Sequence, residues 1–358
     1  MKYFNFVAAI LLSLLYATGK IPPSEKFNLW FTIFVIPFAM LANTILLIVA
    51  IVMSKKSGLY YIIPMIIGVP YMISTIGVKH FFKKESSKPR FSIMNYNISH
   101  LSVKPGGTTG YDSGRKILMD LVLHPTTDIQ CYQEFVNFPR SKDLNIISRL
   151  EERNMNFYFS MEPDNVNTAN ARAGILIVSK YPIVSRGDIL ESTNGFNRVA
   201  YADIKINEDT VRVINVHLES MGLGQFDPRY RSRLSEMKNK TRTILSKLKF
   251  GVLERSKQIK QVADFVATCP YPVICVGDFN DMPYSYSYQY LKWRMKNSFE
   301  ESGSGFGFTY NGGTLRTLRI DNQFYSGRVR STDLKTRYDM AYTDHFPLVG
   351  TYEFNDRE

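Results

Sequence analysis

Cysteine is scarce in this chain. Its three residues, Cys131, Cys269 and Cys275, are odd in number and have no paired spacing, which argues against a disulfide framework and against a zinc site. Cys131 and Cys275 are expected as small buried thiols in strands. Internal repeats and low-complexity tracts are absent as well. Acid is nearly missing from the N-terminal quarter. Residues 1–90 hold ten Lys/Arg against two Glu, whereas the other 268 residues carry 34 basic and 30 acidic groups. The net charge of +12 therefore lies mostly beside apolar segments, and it reads first as membrane anchoring and only weakly as a nucleic-acid signature.

Residues 27–54 contain no charge at all. A helix needs about 20 apolar residues to cross a bilayer, and the runs at 27–54 and 57–78 meet that length. The run at 3–19 is marginal and has the Met1-Lys2 start of a signal peptide, but the two runs that follow at once favour a third span. Residues 1–88 are thus read as a membrane anchor with three helices. Pro37, Asn43, Pro64 and Pro70 inside the spans suit kinks and interhelical packing. No acid or base lies mid-span, so nothing there suggests an ion or proton pathway. Three spans put the N-terminus and the Lys55-Lys56 loop on one side, and Lys20, Lys26, Lys79, Lys83, Lys84, Lys88 and Arg90 on the other with the C-terminal region. A positive-inside count puts that region in the cytoplasm, but long domains translocate regardless of charge; both orientations stay open.

From about residue 89 the texture changes. Strands are expected at 90–97, 128–133, 173–179, 200–206, 211–217, 272–277, 318–324 and 347–354, each short and bounded by Gly, Pro, Asn or Asp. Helical spacing covers 114–123, 143–153, 241–248, 256–268 and 286–295. This mixture predicts an α/β sandwich. The buried run Val273-Ile-Cys-Val stops at Gly277, Asp278 and Asn280, and Thr343-Asp-His345 precedes the last strand. Asn95, Asn97, Glu134, His217, Asp278, Asn280, Asp321, Asp344 and His345 all fall at expected strand ends. They form the oxygen-rich set a hard cation such as Mg²⁺ prefers, with two histidines added.

In order, Ile93-Met-Asn-Tyr-Asn97, Asp128-Ile-Gln-Cys-Tyr-Gln-Glu134, Gly174-Ile-Leu-Ile-Val-Ser-Lys-Tyr-Pro182, Val213-Ile-Asn-Val-His-Leu218, Gly277-Asp-Phe-Asn280, Arg319-Ile-Asp321 and Thr343-Asp-His345 resemble the exonuclease–endonuclease–phosphatase superfamily across residues 91–358. The resemblance implies two packed mixed β-sheets flanked by helices, a four-layer sandwich with the site at one edge. It implies in-line attack of water on a phosphate ester, assisted by Mg²⁺ or Mn²⁺. In that scheme Glu134 is the principal metal ligand, with Asn97 beside it and Asp344 assisting. Asp278 orients or deprotonates the water, Asn280 holds phosphate or water, Asp321 orients His345, and His217 donates to a phosphate oxygen or the leaving group. Arg198 matches a phosphate-contacting arginine, with a surface salt bridge as the alternative, and Asn170 lies where the family often adds a site residue. His217 in place of Asn points away from the abasic-site endonucleases. His80, His100 and His124 match no motif and are expected at the surface or the membrane interface.

Residues 222–260 form a basic helical insertion with eleven Lys/Arg against three acids. It suits anionic lipid headgroups, a nucleic-acid backbone or plain solvent, and it lacks an interleaved aromatic platform for single strands. The expectation is a multi-pass membrane-anchored Mg²⁺- or Mn²⁺-dependent phosphate ester hydrolase, a phosphodiesterase, whose partners are its substrate and the bilayer. A nuclease is the alternative within the class. An inactive membrane-bound scaffold is the alternative outside it, and the complete strand-end set argues against that one. Residues 89–358 are expected to act as a domain without the anchor.

Overall fold

The structure is a computed structural model that describes residues 2–26, 29–53, 56–78, 88–102, 111–161, 171–190, 197–220, 234–312 and 318–356. Three apolar helices come first: α1 (Lys2–Thr18), α2 (Thr32–Val52) and α3 (Ile62–Thr75). Then follow β1 (Arg90–Asn97), α4 (Tyr111–Leu123), β2 (Ile129–Asn137), α5 (Ile146–Glu152), β3 (Asn156–Met161), β4 (Arg172–Ser179), β5 (Ile183–Leu190), β6 (Arg198–Ile206) and β7 (Asp209–His217). The chain ends with α6 (Leu234–Ala267), β8 (Val273–Asp278), α7 (Tyr286–Lys292), β9 (Lys296–Asn297), α8 (Ser298–Ser302), β10 (Asp321–Ser326), β11 (Val329–Thr336) and β12 (Leu348–Phe354).

The strands make two six-stranded sheets, ordered β11-β12-β1-β2-β4-β3 and β5-β6-β7-β8-β10-β9. Each sheet has one parallel pair, β1 with β2 and β7 with β8. Parallel neighbours need a crossover, and α4 and α6 lie in those two connections. Phe91, Ile93, Ile129 and Cys131 from one sheet pack against Val213, Ile274 and Val276 from the other. Helices α4 and α5 cover the outer face of the first sheet through Leu118, Val122, Ile146 and Leu150. Helices α6 and α7 cover the second through Ile259, Val262, Ala263 and Leu291. The result is the expected four-layer α/β sandwich of two mixed sheets, preceded by apolar helices.

Helices expected separately at 241–248 and 256–268 are one 34-residue helix, α6. Leu248, Val252, Arg255, Ile259, Val262 and Val266 are all buried, a stripe at helical spacing that continues through the expected break. The expected insertion therefore runs into the helix that covers the second sheet; residues 221–233 lie outside the described residues.

Helices α2 and the stretch Gly58–Thr75 are long and apolar enough to cross a membrane, with mean hydropathies of 2.6 and 1.4; Tyr3–Thr18 is a shorter apolar helix. One end of the bundle is sunk into the sandwich. Tyr16, Ile33, Ile36 and Tyr71 share a buried cluster with Val252, Met282 and Tyr284, and the Tyr71 hydroxyl donates to Tyr16 O at 2.7 Å.

Candidate active site

Pairing register builds the site. The parallel strands β1 and β2 finish side by side, Asn97 opposite Gln133. Strands β7 and β8 finish with His217 opposite Asp278. Asp321, expected at the far end of a strand 318–324, is instead the first residue of β10, which runs antiparallel to β8 and sets it opposite Asp278. Ile320 O still accepts from Phe279 N, one rung beyond Asp278, but Leu318 O is turned to the N–H groups of Thr309 and Tyr310, so the chain ahead of β10 is tied to that loop instead.

Two backbone irregularities aim the side chains. The β2–β4 register breaks between Tyr132 and Phe135, and Glu134 sits there with φ 51°. A bulge redirects a side chain, and the left-handed conformation costs a non-glycine residue about 1–3 kcal/mol. Gly277 has φ 135°, and a Cβ on it would lie 2.1 Å from Val216 O; only glycine lets β8 approach β7 this closely just before Asp278. Beneath the site, side-chain amides bridge the sheets. Gln133 donates to Asn215 at 2.6 Å, and Gln323 donates to Asn95 at 2.9 Å. Asn95 thus holds the sheets together from within the sandwich.

Asn97 Nδ2 donates to Glu134 Oε1 and to Asp278 Oδ2, both at 3.1 Å, and its Oδ1 accepts from Ser99 N at 3.0 Å. Through that amide Asn97, expected beside Glu134 at the metal, joins two carboxylates from different sheets. His217 Nε2 lies 3.7 Å from Glu134 Oε1 and 3.9 Å from Asp278 Oδ2. His345 Nδ1 is 2.8 Å from Asp321 Oδ2, and its Nε2 is 3.7 Å from Asp278 Oδ2. An ionised carboxylate accepts only, so Nδ1 carries the proton and Nε2 faces Asp278. The Asn280 N–H donates to Asp278 Oδ1 at 2.8 Å, and its side-chain amide donates to Leu218 O.

His100, expected at the surface or membrane interface, belongs to the cluster. Its Nδ1 is 3.0 Å from Glu134 Oε2, brought there by Ser99, His100 and Leu101, which all have positive φ. The available signal was its place three residues after Asn97, in the loop leaving β1. His124 is at the surface beside Arg153, and His80 lies outside the described residues. Asp344 is half-buried beside this group, its carbonyl accepting from Asn311 N at 2.6 Å. Arg198 is buried rather than at the surface; it donates to Ser160 Oγ at 2.8 Å and to Asp188 at 2.9 Å. Asn170 lies outside the described residues.

Burial works to raise the Glu134 pKa, but the hydrogen bond from His100, the charges of His217 and His100, and the Asn97 amide outweigh it and bring the carboxyl down to about 2. Burial pushes Asp278 the other way, above the ordinary carboxylate range, and the Asp321 charge adds to that against His345, His217 and the Asn280 N–H. Burial alone would depress His345, yet Asp321, Asp278 and Asp344 together hold its pKa well above that of a free imidazole.

Among the described histidines, cysteines and carboxylates, Asp278, Asp321 and His345 form a group whose donor atoms lie within 4.8 Å of one another. Asp321 Oδ1 is buried without a hydrogen-bond partner, and two adjacent buried carboxylates repel unless a cation joins them. The carboxylate oxygens of this group, with ionised Glu134 beside them, suit a hard cation, whereas the imidazole, protonated on both nitrogens, offers it no lone pair.

No protein-family model matches the chain, and no curated protein matches it. Solved structures do. An endonuclease/exonuclease/phosphatase from Beutenbergia cavernae DSM 12333 superposes with a TM-score of 0.51 at 15% identity, covering 74% of this chain and 72% of that one. The chain has the endonuclease/exonuclease/phosphatase fold. An endonuclease/exonuclease/phosphatase family protein from Leptotrichia buccalis C-1013-b agrees, with a TM-score of 0.51 at 13% identity over 74% of this chain and all of that one. A functionally unknown conserved protein from Enterococcus faecalis V583 gives 0.50 at 14% identity, over 74% and 100%.

Proposed function

We propose that this chain is a membrane-anchored hydrolase of phosphate esters, a phosphodiesterase assisted by Mg²⁺ or Mn²⁺. The observation that carries it is the meeting, at one edge of two sheets, of Asn97 and Glu134 from one sheet with His217, Asp278 and Asp321 from the other, closed by His345. Glu134, ionised and partly exposed, is the cation holder, with Asp344 nearby and Asn97 fixing the carboxylate by its N–H. A bound cation would neutralise the phosphate and the charge that develops on the leaving oxygen. Asp278, held by the Asn280 N–H, orients the attacking water and accepts its proton. His345, kept protonated by Asp321, holds Asp278 in place and offers a proton from Nε2. His217 donates to a phosphate oxygen or to the leaving group.

Anchoring rests on the apolar helices, whose outward side chains are bare; Phe38, Ile66 and Leu14 are 73%, 65% and 60% exposed. An apolar surface of this kind suits lipid rather than water. It makes a lipid-derived phosphodiester the first substrate class to try. A nuclease reading draws on the basic segment that leads into α6.

The test is hydrolysis by the full chain in lipid nanodiscs with Mg²⁺ or Mn²⁺, against phospholipids, sphingomyelin, inositol phosphates, plasmid DNA, RNA and aryl phosphates. Turnover confined to one class fixes the substrate; no turnover of any class would leave the scaffold reading standing. Turnover should also fall steeply on going from about pH 8 to about pH 5. The folded pKa of Asp278 is raised, so it takes up a proton above the pH at which a free aspartate would, while Glu134 stays ionised throughout. A rate that stays level across that range would contradict the role given to Asp278.

A further inference from the structure

The segment leaving α3 pairs with the sandwich as a strand would. Gly77 N donates to Gly305 O at 2.8 Å, and Gly305 N returns a bond to Gly77 O at 3.0 Å. The loop entered at Gly305 then runs to the site. Thr309 is fully buried; its Oγ1 accepts from the N–H groups of both Ile320 and Asp321, at 3.1 and 3.0 Å. Its carbonyl accepts from Phe346 N at 2.7 Å, and Asn311 N donates to Asp344 O at 2.6 Å. Tyr310 forms a backbone bridge with His345 and sets its ring edge-on to the imidazole, with centroids 5.3 Å apart.

A second strut joins the same parts. Arg319, two residues before Asp321, is buried, lies 3.7 Å from the centre of the Phe299 ring and donates to Ser74 O in the last turn of α3. Its Nε and Nη1 are buried without partners. Among the described residues, Ser74 O is the hydrogen-bond acceptor of this cation, so separation from α3 would leave a buried guanidinium without a hydrogen bond, a costly state.

We infer that the apolar helices complete the active site: residues 305–311 act as a strut from α3 to the Asp321–His345 pair, with Thr309 as its positioning residue. A membrane anchor joined by a loose linker would leave the site indifferent to its helices. Here, displacing α3 loosens the pair that holds Asp278. The catalytic consequence rests on the hydrolase reading above; the structural coupling does not.

The test uses the full chain in nanodiscs. A Cβ at Gly77 would lie 2.5 Å from the Gly303 carbonyl carbon and 2.7 Å from Ser304 N, backbone that no flexible side chain can relieve, so Gly77→Ala pries the loop from α3. Amide exchange read by mass spectrometry should quicken at 309–311, 320–321 and 343–346 while β2 stays protected. kcat should fall about tenfold or more with KM little changed, the mark of misplaced reacting groups. Thr309→Val should do the same and Thr309→Ser should retain wild-type protection. If Gly77→Ala fails to fold, Arg319→Met removes the donor to Ser74 while preserving packing on Phe299, and takes its place. Faster exchange confined to 76–78 and 303–306, or Thr309→Val as protected as wild type, would overturn the inference. If the wild type turns over no phosphate ester, the hydrolase reading fails and the exchange data still decide the coupling.

Discussion

Glu134→Gln should abolish metal-dependent turnover, by about 10³-fold or more, while leaving the chain folded. The substitution keeps size and an oxygen able to accept from Asn97 Nδ2, so β2 and its bulge need not rearrange. What it removes is the negative charge that Glu134 presents to His100 and His217. That carboxyl is ionised down to about 2, so charge is available to a cation at any working pH. The check is kcat over a Mg²⁺ titration, with thermal unfolding of the variant alongside. Activity within a few-fold of wild type, at any metal concentration, would sink the assignment.

Loss of the imidazole at the opposite wall should be nearly as severe. His345→Ala is expected to lower kcat by about 10²–10⁴, the range of a positioned acid or base, whereas His124→Ala should leave it unchanged. His345 touches both Asp321 and Asp278; without it two adjacent buried carboxylates face each other, and the water-orienting group becomes neutral or disordered. His124 lies at the surface with its ring against Arg153. Asp321→Asn gives a milder lesion, retaining an acceptor for Nδ1 but not the charge that keeps the ring protonated. Equal kcat for the two histidine variants would mean that the convergence of strand ends does not mark the site.

These residues were readable because chemistry and burial coincide at them. The eight strands expected from sequence are the eight internal strands of the two sheets. The four that were not expected, β3, β5, β9 and β11, are the four edges. An internal strand is covered on both sides and reads as an apolar run ending in a polar residue, as Val273–Asp278 does. An edge strand such as Val329-Arg-Ser-Thr-Asp-Leu-Lys-Thr336 is half exposed and reads as loop. For the same reason Asn97, Glu134, His217, Asp278, Asp321 and His345 stood out, while His100 and Thr309 did not. His100 depends on three consecutive positive φ values, and Thr309 on a hydroxyl that serves two distant amides. Neither leaves a periodic trace. The union of α3 with the sandwich was hidden too, since Gly77 and Gly305 pair through backbone alone.

The most direct test of the central claim is turnover of a bis-aryl phosphodiester by the full chain in nanodiscs, stripped with chelator and then titrated with Mg²⁺ or Mn²⁺, beside Asp278→Ala and His217→Ala. Turnover should be absent without metal, recover as metal is added, and be absent from both variants. Turnover that survives the chelator, or that both variants share with the wild type, would contradict it.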